Sequence, residues 1–292
     1  MTGASDWRGR VGDTWAAEWQ RTERAFDGIA ERLDQAILAL APDAGSALDI
    51  GCGAGATTVS LATARPGLHV TGVDLSSALL TVAQSRATSV DQVRFEMGDA
   101  VAVAARLAPL DLLVSRHGVM FFADPVVGFA GLASACRPGA PLIFSCFRSR
   151  AENDWAQAVD RAIGHTAAAT GYAPGPFALA DQAATAAILG RAGWQDIAAT
   201  PYDVSYIVGA GDDPVGDALA YYRRIGSAAA ILAAASPGER SRMERGLTDL
   251  LRERMAPRIQ DPRIQDPRIQ GDVVTFTAAI WIWTARAGER PS

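Results

Sequence analysis

Residues 47–56 read Ala47-Leu48-Asp49-Ile50-Gly51-Cys52-Gly53-Ala54-Gly55-Ala56, an apolar strand that ends on an acid and runs into three alternating glycines, with a helical pattern directly behind. Such a loop suits a nucleotide-like cofactor, because glycine removes side chains where backbone must approach a ligand and adopts dihedrals that cost other residues dearly. Two cofactor classes fit the loop alone. Gly51, Gly53 and Ala56 satisfy the dinucleotide spacing G-x-G-x-x-G/A, and Asp74 stands about 20 residues beyond, where a ribose-binding acid is expected. Gly55, Thr57 and Thr58 leave room for a pyrophosphate at the helix N-terminus. Asp49 argues the other way, since a carboxylate near that mouth repels phosphate and suits a cationic ligand.

The chain continues with a second strand, Val70 to Asp74, and a third, Val93 to Met97, followed by Gly98, Asp99 and Ala100. A fourth runs from Leu110 to Arg116, and Arg137 to Ser145 leads into a fifth. Strands alternating with helices from 46 to 148 are the signature of a parallel sheet covered on both faces, and ligands of such sheets bind outside the carboxyl ends of the strands. That rule gathers Asp49 to Gly55, Asp74, Asp99 and Ser115 to His117 around one crevice.

With these ordered motifs the sequence resembles the class I S-adenosylmethionine-dependent methyltransferases. It is most similar to a bacterial small-molecule branch grouped with quinone-biosynthesis methyltransferases, which shares the Ser-Arg-x-Gly-Val-Met-Phe-Phe-Ala-Asp-Pro stretch found here at Ser115 to Pro125. The resemblance covers roughly residues 7–208 and the last strand. It implies an α/β, Rossmann-like, seven-stranded and mostly parallel sheet with helices on both faces, an antiparallel last strand and a helical cap insertion. The implied cofactor is S-adenosyl-L-methionine, which carries an ammonium and a sulfonium but no phosphate and leaves as S-adenosyl-L-homocysteine.

Carried over position by position, the resemblance implies a cofactor site of Asp49, Gly51, Cys52, Gly53, Gly55, Asp74, Leu75, Asp99, Ala100, Ser115 and Arg116, with Trp15 as a cover. Gly51, Gly53 and Gly55 let the backbone pass beneath the ligand, and Asp49 orients its amino group. Asp74 accepts from both ribose hydroxyls, Leu75 packs on the adenine, and Asp99 with the Ala100 N–H reads the adenine edge. Ser115 and Arg116 lie beside the methionine portion. His117 is the candidate catalytic base, since it follows the fourth strand and histidine titrates near neutrality; relatives usually carry an aromatic residue there. His69 and His165 read as structural or solvent-facing.

The net charge of −5 leaves no basic footprint for nucleic acid, so a small-molecule substrate is expected. All 27 basic residues are arginine, which excludes lysine Schiff-base chemistry. Cys52, Cys136 and Cys146 lie singly, matching neither a disulfide framework nor a metal site. A polar start without an apolar signal core and the absence of a membrane-length apolar run lead to a cytoplasmic, non-inserted expectation. Oligomeric state is not legible.

Thr14 to Leu40 shows one amphipathic helical pattern stopped by Pro42; the resemblance implies that residues 1–45 lie over the cofactor cleft, with Trp15 and Trp19 covering it. Residues 46–208 and 271–288 form the main domain. Glu152 to Ala169 reads as a helix, Gly171 to Pro176 as a loop, Asp181 to Ala192 as a helix capped by Gly193, and Trp194 to Val208 as a strand. Residues 209–256 read as two helical segments capping the substrate pocket. Trp155, Tyr172, Phe177, Tyr202, Tyr206, Tyr221 and Tyr222 are candidate pocket walls. Three five-residue repeats beginning at Pro257, Pro262 and Pro267 give an extended linker over 257–270, because proline interrupts both helix and ladder, and Val273 to Ala285 reads as a buried strand. The function expected is methyl transfer to a small organic acceptor; an NAD(P)-dependent oxidoreductase and a non-catalytic S-adenosylmethionine-binding protein are the alternatives.

Overall fold

A computed structural model describes residues 3–166, 172–257 and 271–289. Five parallel strands, β1 (Ala44–Ile50), β2 (Gly67–Asp74), β3 (Val93–Met97), β4 (Leu112–Arg116) and β5 (Pro141–Phe147), begin the sheet. They are joined by the sixteen-residue strands β6 (Trp194–Gly209) and β8 (Asp272–Ala287). The order is β3-β2-β1-β4-β5-β8-β6, with β8 antiparallel to both of its neighbours. An eighth strand corrects the expected seven: β7 (Met255–Pro257) pairs with the start of β8 and is too short to carry a periodic signal. Of the repeat expected as a linker, only Pro257 falls within the described residues.

Strand alternation sorts side chains into two cores. Leu112, Val114 and Ile143 join the cluster beneath α4 (Asp27–Leu40), α5 (Ala56–Ala64), α9 (Asp154–Ala162), α11 (Pro214–Arg224) and α13 (Pro237–Glu253). Leu113, Leu142 and Phe144 join the opposite cluster beneath α7 (Ala100–Leu107), α8 (Pro125–Ala135) and α10 (Gln182–Arg191). On α4, Ile29, Leu33 and Ile37 recur every fourth residue and are fully buried, each contributing about 2 kcal/mol of transfer free energy. Helix starts are fixed by side-chain caps: Ser76 accepts from the Leu79 N–H ahead of α6 (Ser77–Arg86), and Asp181 from that of Ala184.

Three helix expectations need correction. The stretch from Thr14 to Leu40 belongs to three helices, α2 (Arg10–Ala17), α3 (Trp19–Ala25) and α4, preceded by a four-residue α1 (Ala4–Trp7). The breaks fall at Glu18 and Phe26, where ψ rises to 15° and 6°. The apolar stripe continues across both, so periodicity hides them; the turn at Phe26 brings its ring against Trp15, His117, Phe147 and Tyr206. The helix expected to reach Ala169 stops at Ala162, ahead of Gly164 at φ 66°, and residues 167–171 lie outside the described residues. The insertion holds three helices rather than two: Ile225 is extended and Gly226 has φ 83°, which separates α11 from α12 (Gly226–Ala234). Ser236, Pro237 and Glu239 then start α13 with a capping box. These helices pack on α9, β6 and β8, and none of residues 209–256 lines the cavity that holds the acids, so the insertion does not wall that cavity as expected.

Candidate functional site

The carboxyl ends of β1, β2 and β4 and the turn after β3 open on one cavity of about 320 Å³, large enough for a small ligand. Asp49, Gly51, Cys52, Gly53, Asp74, Leu75, Asp99, Ala100, Arg116, His117 and Trp15 all line it. A second, more open groove of about 740 Å³ adjoins it and shares Glu23, Thr57 and Arg116. Its arginines are committed to neighbouring acids: Arg24 to Asp217, and Arg86 and Arg116 to Glu23. The smaller cavity is therefore the candidate site. Trp19 faces the larger groove under the Arg86 guanidinium, 4.6 Å from its ring, and does not cover the site.

Backbone geometry explains the glycines. Gly51 has φ 64°, and a Cβ there would lie 2.8 Å from Gly118 Cα, so the loop after β1 and the turn after β4 can approach only as glycine against glycine. A Cβ on Gly53 would meet nothing within 4 Å. Gly55 faces elsewhere: its Cβ position is 2.8 Å from the Phe95 ring and 2.9 Å from Ala83, so it serves helix packing and does not line the cavity. Ser115 is likewise internal. Its hydroxyl donates to the Ile50 carbonyl at 2.7 Å and accepts from the N–H groups of Gly118 and Val119, tying β1 to the turn after β4.

The three acids differ in how they are held. Asp74 accepts from the Gly53 N–H with one oxygen and the Ser76 N–H with the other, both at 2.9 Å; burial nonetheless raises its pKa. Asp99 caps α7 through one oxygen, accepting from Val101 and Ala102 N–H at 3.0 Å. Asp49 is 1% exposed; Thr58 donates to its Oδ2 at 2.6 Å, while Oδ1 is buried without a partner among the described residues.

Burial pushes the Asp49 carboxyl up to about 6 from its ordinary 3.8, against the Thr58 hydrogen bond and the Arg116 charge. A raised carboxyl makes the folded state favour the proton. The stabilising contribution is full below the unfolded value near 3.8 and is lost as pH rises to about 6. The charged form then costs the folded state on the order of 3 kcal/mol. Asp49→Asn is expected to raise the melting temperature of the ligand-free protein at pH 7.5 by about 2–5 °C, and to leave it unchanged at pH 4. Scanning calorimetry at the two pH values checks this, and a loss of stability at pH 7.5 would contradict it.

His117 takes the left-handed conformation at φ 64° and is 3% exposed. Its ring is fixed by Ser145 Oγ, 2.7 Å from Nδ1, and by Phe147, whose centroid is 4.3 Å away. Burial, followed by the Arg116 charge, pushes its pKa down to about 3. The ring stays neutral at physiological pH and is a weak proton acceptor, against its expectation as a base titrating near neutrality.

Other residues at the site escape motif reading. Glu23 on α3 pairs with Arg116 at 2.5 Å and with Arg86 at 3.4 Å, and it lines the cavity together with Trp7, Phe26, Met120, Phe121 and Phe122. The shared stretch around Ser115 to Pro125 was the available signal for the last three. Of the expected pocket walls, Trp155 and Phe177 stack at 5.8 Å beside Phe147 and Tyr206, outside the cavity. Tyr202 lies under Arg32, and Tyr221 and Tyr222 are core residues. Tyr172 donates to the Phe122 carbonyl at 2.6 Å.

Residues 47–139 match the model of a methyltransferase domain. A ubiquinone biosynthesis O-methyltransferase of Aromatoleum aromaticum is 37% identical over 100 residues, 34% of this chain and 42% of that protein. A trans-aconitate 2-methyltransferase of Variovorax paradoxus is 30% identical over 131 residues, 44% of this chain and 49% of that protein. The chain spans about half the length of the curated relatives it matches. A solved structure concerned with converting a disulfide bond into a thioacetal group during echinomycin biosynthesis shares the fold. Its TM-score is 0.53 at 17% identity, over 89% of this chain and 82% of that one.

Proposed function

We propose that this chain, which belongs to the class I S-adenosylmethionine-dependent methyltransferases, transfers a methyl group to a small organic acceptor in the cavity at the ends of β1 to β4. The observation that supports this most is a set of three carboxylates after successive parallel strands, Asp49, Asp74 and Asp99, around one cavity, with Asp49 Oδ1 buried and unpartnered among the described residues. An ammonium would supply the missing donors. A pyrophosphate would meet those acids, and Arg116, which lines the cavity, is already paired with Glu23. The residues therefore fit S-adenosylmethionine better than a nicotinamide dinucleotide.

In this reading Asp49 holds the amino group, Asp74 the ribose hydroxyls and Asp99 the adenine edge, with Leu75 packed on the base. Held by those residues, S-adenosylmethionine would supply an electrophilic methyl on a sulfonium whose departing electron pair stays on sulfur as the acceptor's lone pair forms the new bond. The chain itself aligns the acceptor and excludes water, the two effects such a displacement needs most. Trp7, Trp15 and Phe26 provide the cover. Among the described residues no helix is long and apolar enough to cross a membrane, and a cytoplasmic setting belongs to the same reading.

Calorimetric titration with S-adenosylhomocysteine, NAD and NADP tests the cofactor. Saturable micromolar binding of the first alone is expected, and binding of a nicotinamide would overturn the proposal. Its affinity is expected to fall about tenfold between pH 7.5 and pH 5, because protonating Asp49 as pH drops through about 6 removes the acceptor of the ammonium. Asp49→Asn flattens that profile. A methylated product in an acceptor screen separates an enzyme from a protein that only binds the cofactor.

A further inference from the structure

Among the described residues, three buried side-chain atoms without hydrogen-bond partners belong to residues that line this cavity: Asp49 Oδ1, Trp7 Nε1 and His117 Nε2. The last two stand at either end of an aromatic arc. Trp7 meets Trp15 at 5.5 Å, Trp15 meets Phe26 at 6.2 Å, and Phe26 lies 5.5 Å from the His117 ring. Phe121 extends the wall at 5.1 Å from Trp7, and Phe122 and Met120 complete an apolar lining.

An indole N–H can only donate. For His117 the tautomer follows from Ser145, which is fully buried and whose hydroxyl has, among the described residues, His117 Nδ1 as its side-chain partner. Were Nδ1–H the donor, the hydroxyl hydrogen would be left unpaired in the core, at the cost of an unmade hydrogen bond. With the hydroxyl donating to Nδ1, both groups are satisfied and the ring hydrogen sits on Nε2. Both unpartnered nitrogens are then N–H donors.

We infer that Trp7 Nε1–H and His117 Nε2–H select a flat, aromatic methyl acceptor by donating to its oxygen, while Phe26, Phe121 and Phe122 hold its body. This rests on the methyl-transfer reading of the cavity and assigns His117 as a donor that fixes the acceptor, in place of a base. Two donors with no partner among the described residues discriminate strongly, because an acceptor lacking the oxygen leaves them unpaired.

The test uses ¹⁵N-labelled protein saturated with S-adenosylhomocysteine and titrated with 2-naphthol, 2-naphthoate, 2-acetylnaphthalene and naphthalene. At least one oxygen-bearing probe is expected to bind about 25-fold tighter than naphthalene, about fivefold for each donor, and to shift the Trp7 indole N–H resonance, identified by its loss in Trp7→Phe. Long-range ¹H–¹⁵N spectra are expected to show the Nε2–H tautomer. Trp7→Phe and His117→Asn should each erase about fivefold of that preference; asparagine tolerates the left-handed backbone and keeps a group near Nδ1. His117→Gln, which reaches toward the Nε2 position, should restore part of it, each variant being saturated with S-adenosylhomocysteine before the probes are titrated. Equal treatment of the four probes by loaded protein, an unmoved Trp7 signal or an Nδ1–H tautomer would overturn this inference alone. Failure to load S-adenosylhomocysteine would overturn the cofactor reading and this one with it.

Discussion

Asp74→Ala is expected to weaken S-adenosylhomocysteine binding at least a hundredfold, the largest loss of any single change at the site. The carboxylate has two tasks. In the proposed complex it accepts from two ribose hydroxyls, and charge-assisted bonds contribute about 1.5–3 kcal/mol each. In the free protein it already accepts from the Gly53 and Ser76 N–H groups. Alanine therefore removes ligand contacts and also releases the glycine loop and the start of α6. Asp74→Asn keeps one acceptor oxygen and should lose less. Calorimetry on both variants checks this, with Asp99→Ala as a comparison; an Asp74→Ala titration matching wild type would remove the site assignment.

The largest effect on stability is expected from Glu23→Gln. Arg116 is 12% exposed, sits at the end of β4 and has Glu23 as its ion-pair partner. Burial would lift the Glu23 pKa, but the Arg116 and Arg86 guanidiniums outweigh it and hold the carboxyl below its ordinary 4.5. The stabilising contribution is thus full above pH 4.5 and lost as pH falls through the lower folded value. Glutamine leaves a buried cation without its counter-charge, which costs about 3 kcal/mol. Urea unfolding followed by tryptophan fluorescence should show the midpoint drop at pH 7, and the gap between variant and wild type should close as the pH is lowered below 4. Arg116→Gln added to Glu23→Gln should recover part of the loss, since the more deeply buried cation is then gone and the partly exposed Arg86 alone has lost its acid. An unchanged midpoint in the single variant would mean that the pair does not hold α3 to the sheet.

What the sequence disclosed followed from local signals. The apolar run Leu48 to Ile50, the glycines behind it, and the acids Asp74 and Asp99 are each legible because strand ends and caps are written in a few adjacent residues. The strand from Trp194 and the strand near the C-terminus were legible from alternation and apolar content. The kinks at Glu18 and Phe26 were hidden because a helix can break without leaving its apolar face. Glu23 was invisible because its partners lie 63 and 93 residues away in the chain. Gly55 and Ser115 were assigned to the ligand because the motif holds them, but a motif cannot say which way a residue faces: one packs on Phe95, and the other ties β1 to β4. Trp7 belongs to a four-residue helix with no periodic signal of its own, so its place at the cavity follows from tertiary contact alone.

The position of β8 has a kinetic consequence. It lies between β5 and β6, although it follows both in the chain, and it is the shared partner that joins them. Until residues 272–287 arrive, β5 presents an open edge and β6 has no strand beside it. On the ribosome the first five strands can assemble in order as they emerge, but the sheet closes only after residues 272–287 have been synthesised. Pairings this distant are slow to form, and the waiting edges are templates for wrong partners. Refolding should therefore show an early phase that orders β1 to β5 and a later, concentration-sensitive one in which β8 enters, with aggregation competing during the interval.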